Sequence, residues 1–180
     1  MEVSCIFFAI IGACTGSFLN VVRWRLPRLQ SLLYPGSYCD NCNREIKLLD
    51  KIPVVSWIIL KGKCSFCKAK IDFKYPIIEL LTAGLFVLNR VNYSYFYSDD
   101  LVISLFLICI FTFFILVIAL IDLDTMKIPN EIILLASIIG LILLVINNSN
   151  EKLFIIQRIL AAFTGLLAFE SIIYILFLFS

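Results

Sequence analysis

Long apolar runs separated by polar connections dominate the chain. The runs cover residues 3–22, 76–91, 101–121, 131–146 and 153–179. A helix needs about 20 residues to cross the hydrocarbon core of a bilayer, and several of these runs approach or exceed that length. The pattern predicts an all-α integral membrane protein, a polytopic helix bundle with about five spans.

A different pattern occupies residues 23–75, where polar and basic positions interrupt every apolar stretch. Within this segment the apolar stretch 52–60 is too short to span a bilayer, so we expect it to lie on the membrane surface or to pack against neighbouring turns. The predicted domains are therefore a first transmembrane helix at 1–22, a cytoplasmic loop domain at 23–75 and a transmembrane helical core at 76–180.

Composition and charge place the loop relative to the membrane. The chain is 62% apolar, with a mean hydropathy of +1.02. Of its 15 Lys and Arg residues, 11 lie between Arg23 and Lys74, where there are only four acidic residues. The positive-inside rule predicts that this loop is cytoplasmic and that residues 93–100 face outward. Topology and contact with lipid headgroups explain the basic charge, so nucleic acid is not an expected partner.

Four cysteines in the loop form two pairs, Cys39-x2-Cys42 and Cys64-x2-Cys67, separated by 21 residues. Paired thiolates at this spacing are typical of tetrahedral zinc sites. A disulfide or idle thiols are the alternatives, but the reducing cytosol favours a metal. A site with four cysteine ligands leaves no open coordination position, so the predicted zinc is structural.

Asp122 and Asp124 follow the apolar run 101–121 directly, and we expect them in the bend of a helix hairpin. Two carboxylates with different pKa values can act as acid and base on a water molecule, as in aspartic proteases. The alternative is that both acids merely end a membrane span in solvent. The chain has no histidine, which excludes Ser-His-Asp, Cys-His and histidine-bound zinc chemistry.

Small and polar residues in the apolar runs suggest where helices pack. Gly12 and Gly16 have the small-x3-small spacing of closely packed helices, and this interpretation is favoured over a direct substrate role. Asn20 is expected to need a hydrogen-bond partner. Glu79 is expected in the first turn of its helix, where the helix dipole favours a carboxylate. A transporter would show inverted repeats, and no internal repeat is visible.

Taken in order, five motifs resemble the type IV prepilin peptidases, also called leader peptidase/N-methyltransferases. The resemblance runs from about Gly12 to the last apolar run. Its motifs are Gly12-x3-Gly16-Ser-Phe-Leu-Asn20 with Arg25-Leu-Pro27, the two cysteine pairs, Ile52-Pro-Val-Val-Ser-Trp57, Tyr75-Pro-Ile-Ile-Glu-Leu-Leu-Thr82 and Asp122-x5-Ile128-Pro-Asn130.

The resemblance implies a bacterial inner-membrane enzyme. It would cleave the basic leader of prepilins or pseudopilins on the cytoplasmic side, with membrane lipid as its surroundings. Asp122 would be the first catalytic aspartate, and Cys39, Cys42, Cys64 and Cys67 would bind zinc. Gly16, Ser17 and Asn20 would belong to the region associated with N-methylation of the new terminus by S-adenosylmethionine.

One family motif is missing from these 180 residues. The second catalytic aspartate of the family lies in a Gly-x-Gly-Asp-x-Lys motif, and no such motif is present. We expect truncation rather than degeneration, because the sequence stops directly after an apolar run, and we expect this chain alone to be inactive. Asp124 is too near Asp122 to replace the missing residue. The alternative function is a truncated or degenerate prepilin-binding membrane protein without catalysis.

Overall fold

The computed structural model describes residues 2–96, 102–126 and 130–146. The chain divides into two compact units, Met1–Gly140 and Leu141–Ser180, and only the end of one helix is described in the second. The described residues form helices and no strand. The helices are α1 (Glu2–Arg25), α2 (Val55–Ile59), α3 (Lys74–Phe96), α4 (Val102–Thr125) and α5 (Asn130–Ile146), with short 3₁₀ turns at Leu26–Arg28 and Leu48–Lys51.

Four of the five predicted apolar helices are confirmed by α1, α3, α4 and α5. The fifth, at 153–179, lies outside the described residues, as do residues 97–100 of the connection 93–100. Within the described ranges, two helical stretches are long and apolar enough to cross a membrane, Val3–Arg28 and Ile103–Thr125. Helix α3 is not among them, because Glu79, Asn89 and Arg90 lower its hydropathy. The number of spans therefore stays a prediction.

The contact between α1 and α3 is built on glycine. A Cβ atom at Gly12 would lie 2.7 Å from the Cα atom of Ala83, and one at Gly16 would lie 2.8 Å from the Cα atom of Glu79. Cβ atoms do not approach other carbon atoms this closely, so only glycine permits the two backbones to meet at this distance. The helix-packing interpretation of the pair Gly12 and Gly16 is confirmed.

A buried apolar cluster joins all four long helices at the ends that carry the candidate chemistry. It consists of Leu19 and Val22 from α1, Ile78 from α3, Val117 and Ile121 from α4, and Ile132 from α5. A second cluster, of Phe8, Phe86, Leu105 and Cys109, lies farther along α1, α3 and α4. Many other large apolar side chains are exposed on the outer helix faces, as expected where lipid is the solvent.

Candidate functional site

Two short turns of similar construction hold the four cysteines. The first knuckle spans residues 37–46 and the second spans residues 62–71. In each, the backbone N–H of the first cysteine donates to a carbonyl five residues later, and its carbonyl accepts an N–H from four residues later. The donor–acceptor distances are 3.0 Å for Cys39 to Arg44, 2.8 Å for Asn43 to Cys39, 2.8 Å for Cys64 to Ala69 and 3.2 Å for Lys68 to Cys64.

The two knuckles repeat at an offset of 25 residues. Asn43 and Lys68, each directly after the second cysteine of its pair, have positive φ angles of 52° and 60°. Ile46 donates to the carbonyl of Ser37, and Ile71 donates to that of Gly62. The expectation of a chain without internal repeats is therefore wrong for residues 37–71, where the recurring pattern Cys-x2-Cys-x3-Ile signals the repeat.

The knuckles bring the four cysteine sulfur atoms together. All four Sγ atoms lie within 4.8 Å of one another, and those of Cys39 and Cys67 are 3.8 Å apart. Four sulfur atoms around zinc at about 2.3 Å would be separated by about 3.8 Å along each tetrahedral edge. The described cysteines are all free thiols, and this separation is far longer than a disulfide bond. The donor set therefore fits a tetrahedral, thiophilic metal ion.

Backbone N–H groups of the knuckles favour thiolates at two of the four positions. The Ala69 N–H and the Asn41 side chain lower the pKa of Cys67 to about 6, and Asn41 Nδ2 lies 3.5 Å from the sulfur. Hydrogen bonds from the Cys67 and Phe66 N–H groups lower the pKa of Cys64. Two thiolates so close together repel further ionisation unless a cation joins them.

Cys42 shows this repulsion. The Arg44 N–H lowers its pKa, but burial and the neighbouring sulfurs of Cys67 and Cys39 outweigh that effect and raise it to about 11. A cation at the centre of the cluster would remove the penalty, because metal coordination favours the deprotonated thiol. The electrostatics of the cluster thus agree with its geometry.

Helix α2 packs one of its sides against the second knuckle. Trp57 Nε1 donates to the Ile71 carbonyl at 3.3 Å, and its ring meets that of Phe73 edge-on at 5.2 Å. Gly62 has a φ of 65°, and a Cβ atom there would lie 2.8 Å from the Trp57 ring. Of the two predicted locations for the apolar stretch 52–60, packing against the cysteine turns is confirmed for this side.

Glu79 connects the loop to the helices, which corrects its expected role. Helix α3 begins at Lys74, so Glu79 lies beyond the first turn and has no role in capping it. The side chain is buried, and its Oε2 accepts the Val54 N–H at 2.7 Å. Val54 has a φ of 61°, an unusual conformation for a β-branched residue. The carboxylate thereby holds a strained loop residue against α3.

Asp122 lies at the end of α4 rather than in a bend. The helix continues to Thr125, and Met126, with a φ of 51°, ends it by donating its N–H to the Asp122 carbonyl at 2.9 Å. The Asp122 side chain is half-buried and makes no hydrogen bond or ion pair with another described residue. The expectation of a bend at Asp122 is therefore wrong, because the helical hydrogen bonds persist for one more turn.

Asp124 has a different environment from Asp122. Its carboxylate pairs with the guanidinium of Arg23 at the end of α1, and the Nη2 to Oδ1 distance is 3.0 Å. Directly before Asp122, the fully buried Ile121 packs into the same cluster as Leu19 and Val22 of α1. The ion pair and the cluster together fix the end of α4 against the end of α1.

Of the residues implied for methyl transfer, two are used by the contact between α1 and α3. The backbone of Glu79 fills the space beside Gly16. The buried Asn20 has the hydrogen-bond partner expected for it, because its Nδ2 donates to the Tyr75 carbonyl at 3.3 Å. The structure brings these side chains together with α3, while any contact with a methyl donor stays a prediction.

Two models of known protein families together match most of the chain. Residues 10–93 match the bacterial peptidase A24 N-terminal domain, and residues 109–179 match the type IV leader peptidase family. The chain belongs to the type IV leader peptidase family. The cysteine cluster lies within the first match, and Asp122 lies within the second.

Curated relatives of the family agree. The chain is 37% identical to a prepilin leader peptidase/N-methyltransferase of Myxococcus xanthus over 126 residues, which is 69% of this chain and 35% of the relative. It is 35% identical to the Neisseria gonorrhoeae protein of the same name, over 74% of this chain and 53% of the relative. The chain thus spans about half or less of these relatives. No solved structure matches the chain.

Proposed function

We propose that this protein is an aspartic-type leader peptidase that cleaves prepilins or pseudopilins. The observation that carries the proposal is that the two family matches together include both chemical features of the chain, the cysteine cluster and Asp122. Relatives named prepilin leader peptidase/N-methyltransferase favour an enzyme over a non-catalytic prepilin-binding protein.

Asp122 is the catalytic residue we propose. Its carboxylate is half-buried at a helix end and is not engaged by another described side chain, so it is available to a water molecule. Hydrolysis by two carboxylates requires one to act as base on the water while the other donates a proton to the leaving group. Asp124 does not fill the second role, because Arg23 holds it as an ion pair. A second carboxylate from a Gly-x-Gly-Asp segment would complete the pair.

A structural zinc ion is the metal we propose for Cys39, Cys42, Cys64 and Cys67. When bound, it would cross-link the two knuckles and take no part in hydrolysis, since four thiolates close its coordination. The sulfur separations and the lowered thiol pKa values of Cys64 and Cys67 support this assignment.

The cytoplasmic membrane of a bacterium is the location we propose, with several spans and the cysteine unit on the cytoplasmic side. The support is the excess of Lys and Arg in residues 23–74 and the two helical stretches that can cross a bilayer. Labelling of a unique reactive group at Lys61 should succeed from the cytoplasmic side of oriented vesicles. Labelling only from the opposite side would contradict the orientation.

N-methylation with S-adenosylmethionine is the second activity that the relatives' names suggest. Gly16 and Asn20 do not fit a direct contact with a methyl donor, because α3 fills the space beside both. Their proposed part is to set the packing of α1 on α3, on which any neighbouring site would depend.

Cleavage of a prepilin leader in membranes, followed by gel shift, tests the peptidase proposal. We expect no cleavage by the 180-residue chain, and cleavage when a segment with the Gly-x-Gly-Asp motif is fused or co-expressed. In the extended protein, Asp122→Asn should abolish cleavage, since asparagine keeps the size but cannot ionise. The matched change Asp124→Asn should leave most activity. Normal cleavage by the 180-residue chain, or by the extended Asp122→Asn variant, would show that the catalytic pair is wrongly assigned.

A further inference from the structure

The segment between the two knuckles exposes an apolar surface that nothing within the described residues covers. Leu48, Leu49, Val55, Ile58 and Ile59 are 84%, 76%, 50%, 63% and 73% exposed, and we refer to these five residues as the α2 patch. Exposed apolar groups in such a cluster mark an interaction surface more often than chance. The opposite side of α2 is already occupied, because Trp57 packs on Gly62 and Phe73.

The α2 patch is held at membrane level by the contact with Glu79. The Val54 N–H, directly before α2, binds Glu79 Oε2 at 2.7 Å. Glu79 in turn contacts Gly16, which lies well inside the apolar stretch Val3–Arg28 of α1. A membrane-crossing α1 would place Gly16 within the bilayer. Helix α2 therefore begins close to the bilayer rather than far out in solvent.

Basic residues flank the patch on both sides. Lys47 precedes Leu48, and its Nζ lies 5.1 Å from the centroid of the Phe66 ring. Lys61 follows α2 with Lys63 close behind, and all three lysines are exposed. Near an anionic bilayer, such lysines are attracted to the lipid phosphates, and a helix with an apolar face settles at the boundary between headgroups and acyl chains. This charge pattern selects an anionic lipid surface over an apolar protein partner.

We propose that the α2 patch inserts into the headgroup boundary of the membrane that holds the helices, with Lys47, Lys61 and Lys63 on anionic lipid phosphates. The two knuckles would then lie on the bilayer in a fixed orientation, instead of being held only by their connections to α1 and α3. The proposal rests on the membrane location and not on peptidase activity, so its test uses no cleavage assay.

The test places an environment-sensitive fluorescent amino acid at Ile59 of the chain in phosphatidylglycerol nanodiscs, and at Lys68 on the second knuckle as control. Spin-labelled lipids should quench the probe at position 59 about threefold more than that at 68, while aqueous iodide should show the reverse preference. Equal iodide quenching at both positions would overturn the proposal. Protection of position 59 from both quenchers would also overturn it, and would indicate a protein cover.

Two variants separate the contributions of the patch and the lysines. Ile58→Ser should halve, roughly, the lipid quenching at position 59, whereas Leu33→Ser, at a still more exposed apolar residue outside the patch, should not change it. Lys47→Glu with Lys61→Glu should remove the preference for phosphatidylglycerol over phosphatidylcholine. Equal effects of Ile58→Ser and Leu33→Ser, or a preference unchanged by the charge reversal, would contradict the assignment. Zinc content serves as the check on folding.

Discussion

The two knuckles have the same backbone hydrogen bonds but different neighbours. The second is packed from outside by Trp57, contains the buried Cys64 and continues into α3. The first has Cys39 and Cys42 half-buried. Its contacts include the cation–π contacts of Arg44 and the adjacent Lys47 with Phe66 of the second knuckle, the ion pair of Glu45 with Lys51, and the hydrogen bond from Arg25 of α1 to the Gly36 carbonyl directly before it. The first knuckle therefore depends more than the second on the metal and on contacts with its partner knuckle for its position.

This difference indicates that the two knuckles contribute to the metal site in different ways. A knuckle that is fixed by packing can present two sulfur atoms before the metal arrives, whereas a knuckle fixed mainly by the metal is ordered when it binds. Metal binding and folding are coupled in small sites of this kind. Disturbing the packing of the second knuckle should therefore cost more than equivalent changes in the first.

The largest expected effect is loss of the metal site itself, which removes the difference between the two knuckles. Loss of either cysteine pair, by Cys39→Ser with Cys42→Ser or by Cys64→Ser with Cys67→Ser, should reduce zinc from about one ion per chain to none, because two thiolates do not make a closed site. Elemental analysis of the purified protein measures this. Helix content should persist, because glycine contacts between α1 and α3 do not involve the metal.

The control for this experiment is Cys5→Ser with Cys14→Ser in α1, which should keep the full metal content. Zinc retained after loss of a knuckle pair would contradict the four-thiol assignment. An absence of zinc from the reduced unaltered protein would contradict it as well.

An intermediate effect should distinguish the knuckles. Gly62→Ala introduces a Cβ atom at a positive φ and against the Trp57 ring, and overpacking of this kind costs about 1–3 kcal/mol. We expect apparent zinc affinity, measured by chelator competition, to fall roughly tenfold, since 1.4 kcal/mol corresponds to a factor of ten. Ser37→Ala, at the equivalent position of the first knuckle, should leave the affinity unchanged. Equal effects at both positions would remove the proposed difference in packing.

The smallest effect should come from the left-handed residues that follow each pair. Lys68 bears the strain of a positive φ that asparagine tolerates better than lysine, so Lys68→Gly should strengthen zinc binding by roughly two- to threefold. Asn43→Gly should change it less. The same chelator competition measures both, and a weaker affinity for Lys68→Gly would show that its hydrogen bond from Nζ to the Ser65 carbonyl matters more than backbone strain.

Local patterns were enough to predict the helices and the cysteine cluster. Apolar runs define α1, α3, α4 and α5 because lipid-buried backbone has few alternatives to helix. The spacing of Cys39, Cys42, Cys64 and Cys67 predicts their convergence because each knuckle closes through hydrogen bonds between residues four or five apart. Gly12 and Gly16 likewise carry their packing signal in their spacing.

Contacts between distant residues could not be predicted in the same way. The sequence predicts Glu79 in a first helical turn, whereas its partner, Val54, is 25 residues away and has a conformation that no local preference indicates. The pairing of Arg23 with Asp124 joins residues 101 positions apart. Such contacts depend on how α1, α3 and α4 are arranged, which hydrophobic pattern alone does not specify.

The cysteine cluster also has a consequence for the length of the connection between α1 and α3. A cross-link between the knuckles closes the 21 residues between Cys42 and Cys64 into a ring. The chain entropy lost in closing a ring grows only logarithmically, so doubling its length would cost only about 0.6 kcal/mol. Residues could thus be inserted within this ring, away from α2, while the two helix ends stay the same distance apart. The direct packing of α1 on α3, together with the cysteine cluster, sets the distance between the helix ends, and the length of the chain between the two cysteine pairs does not.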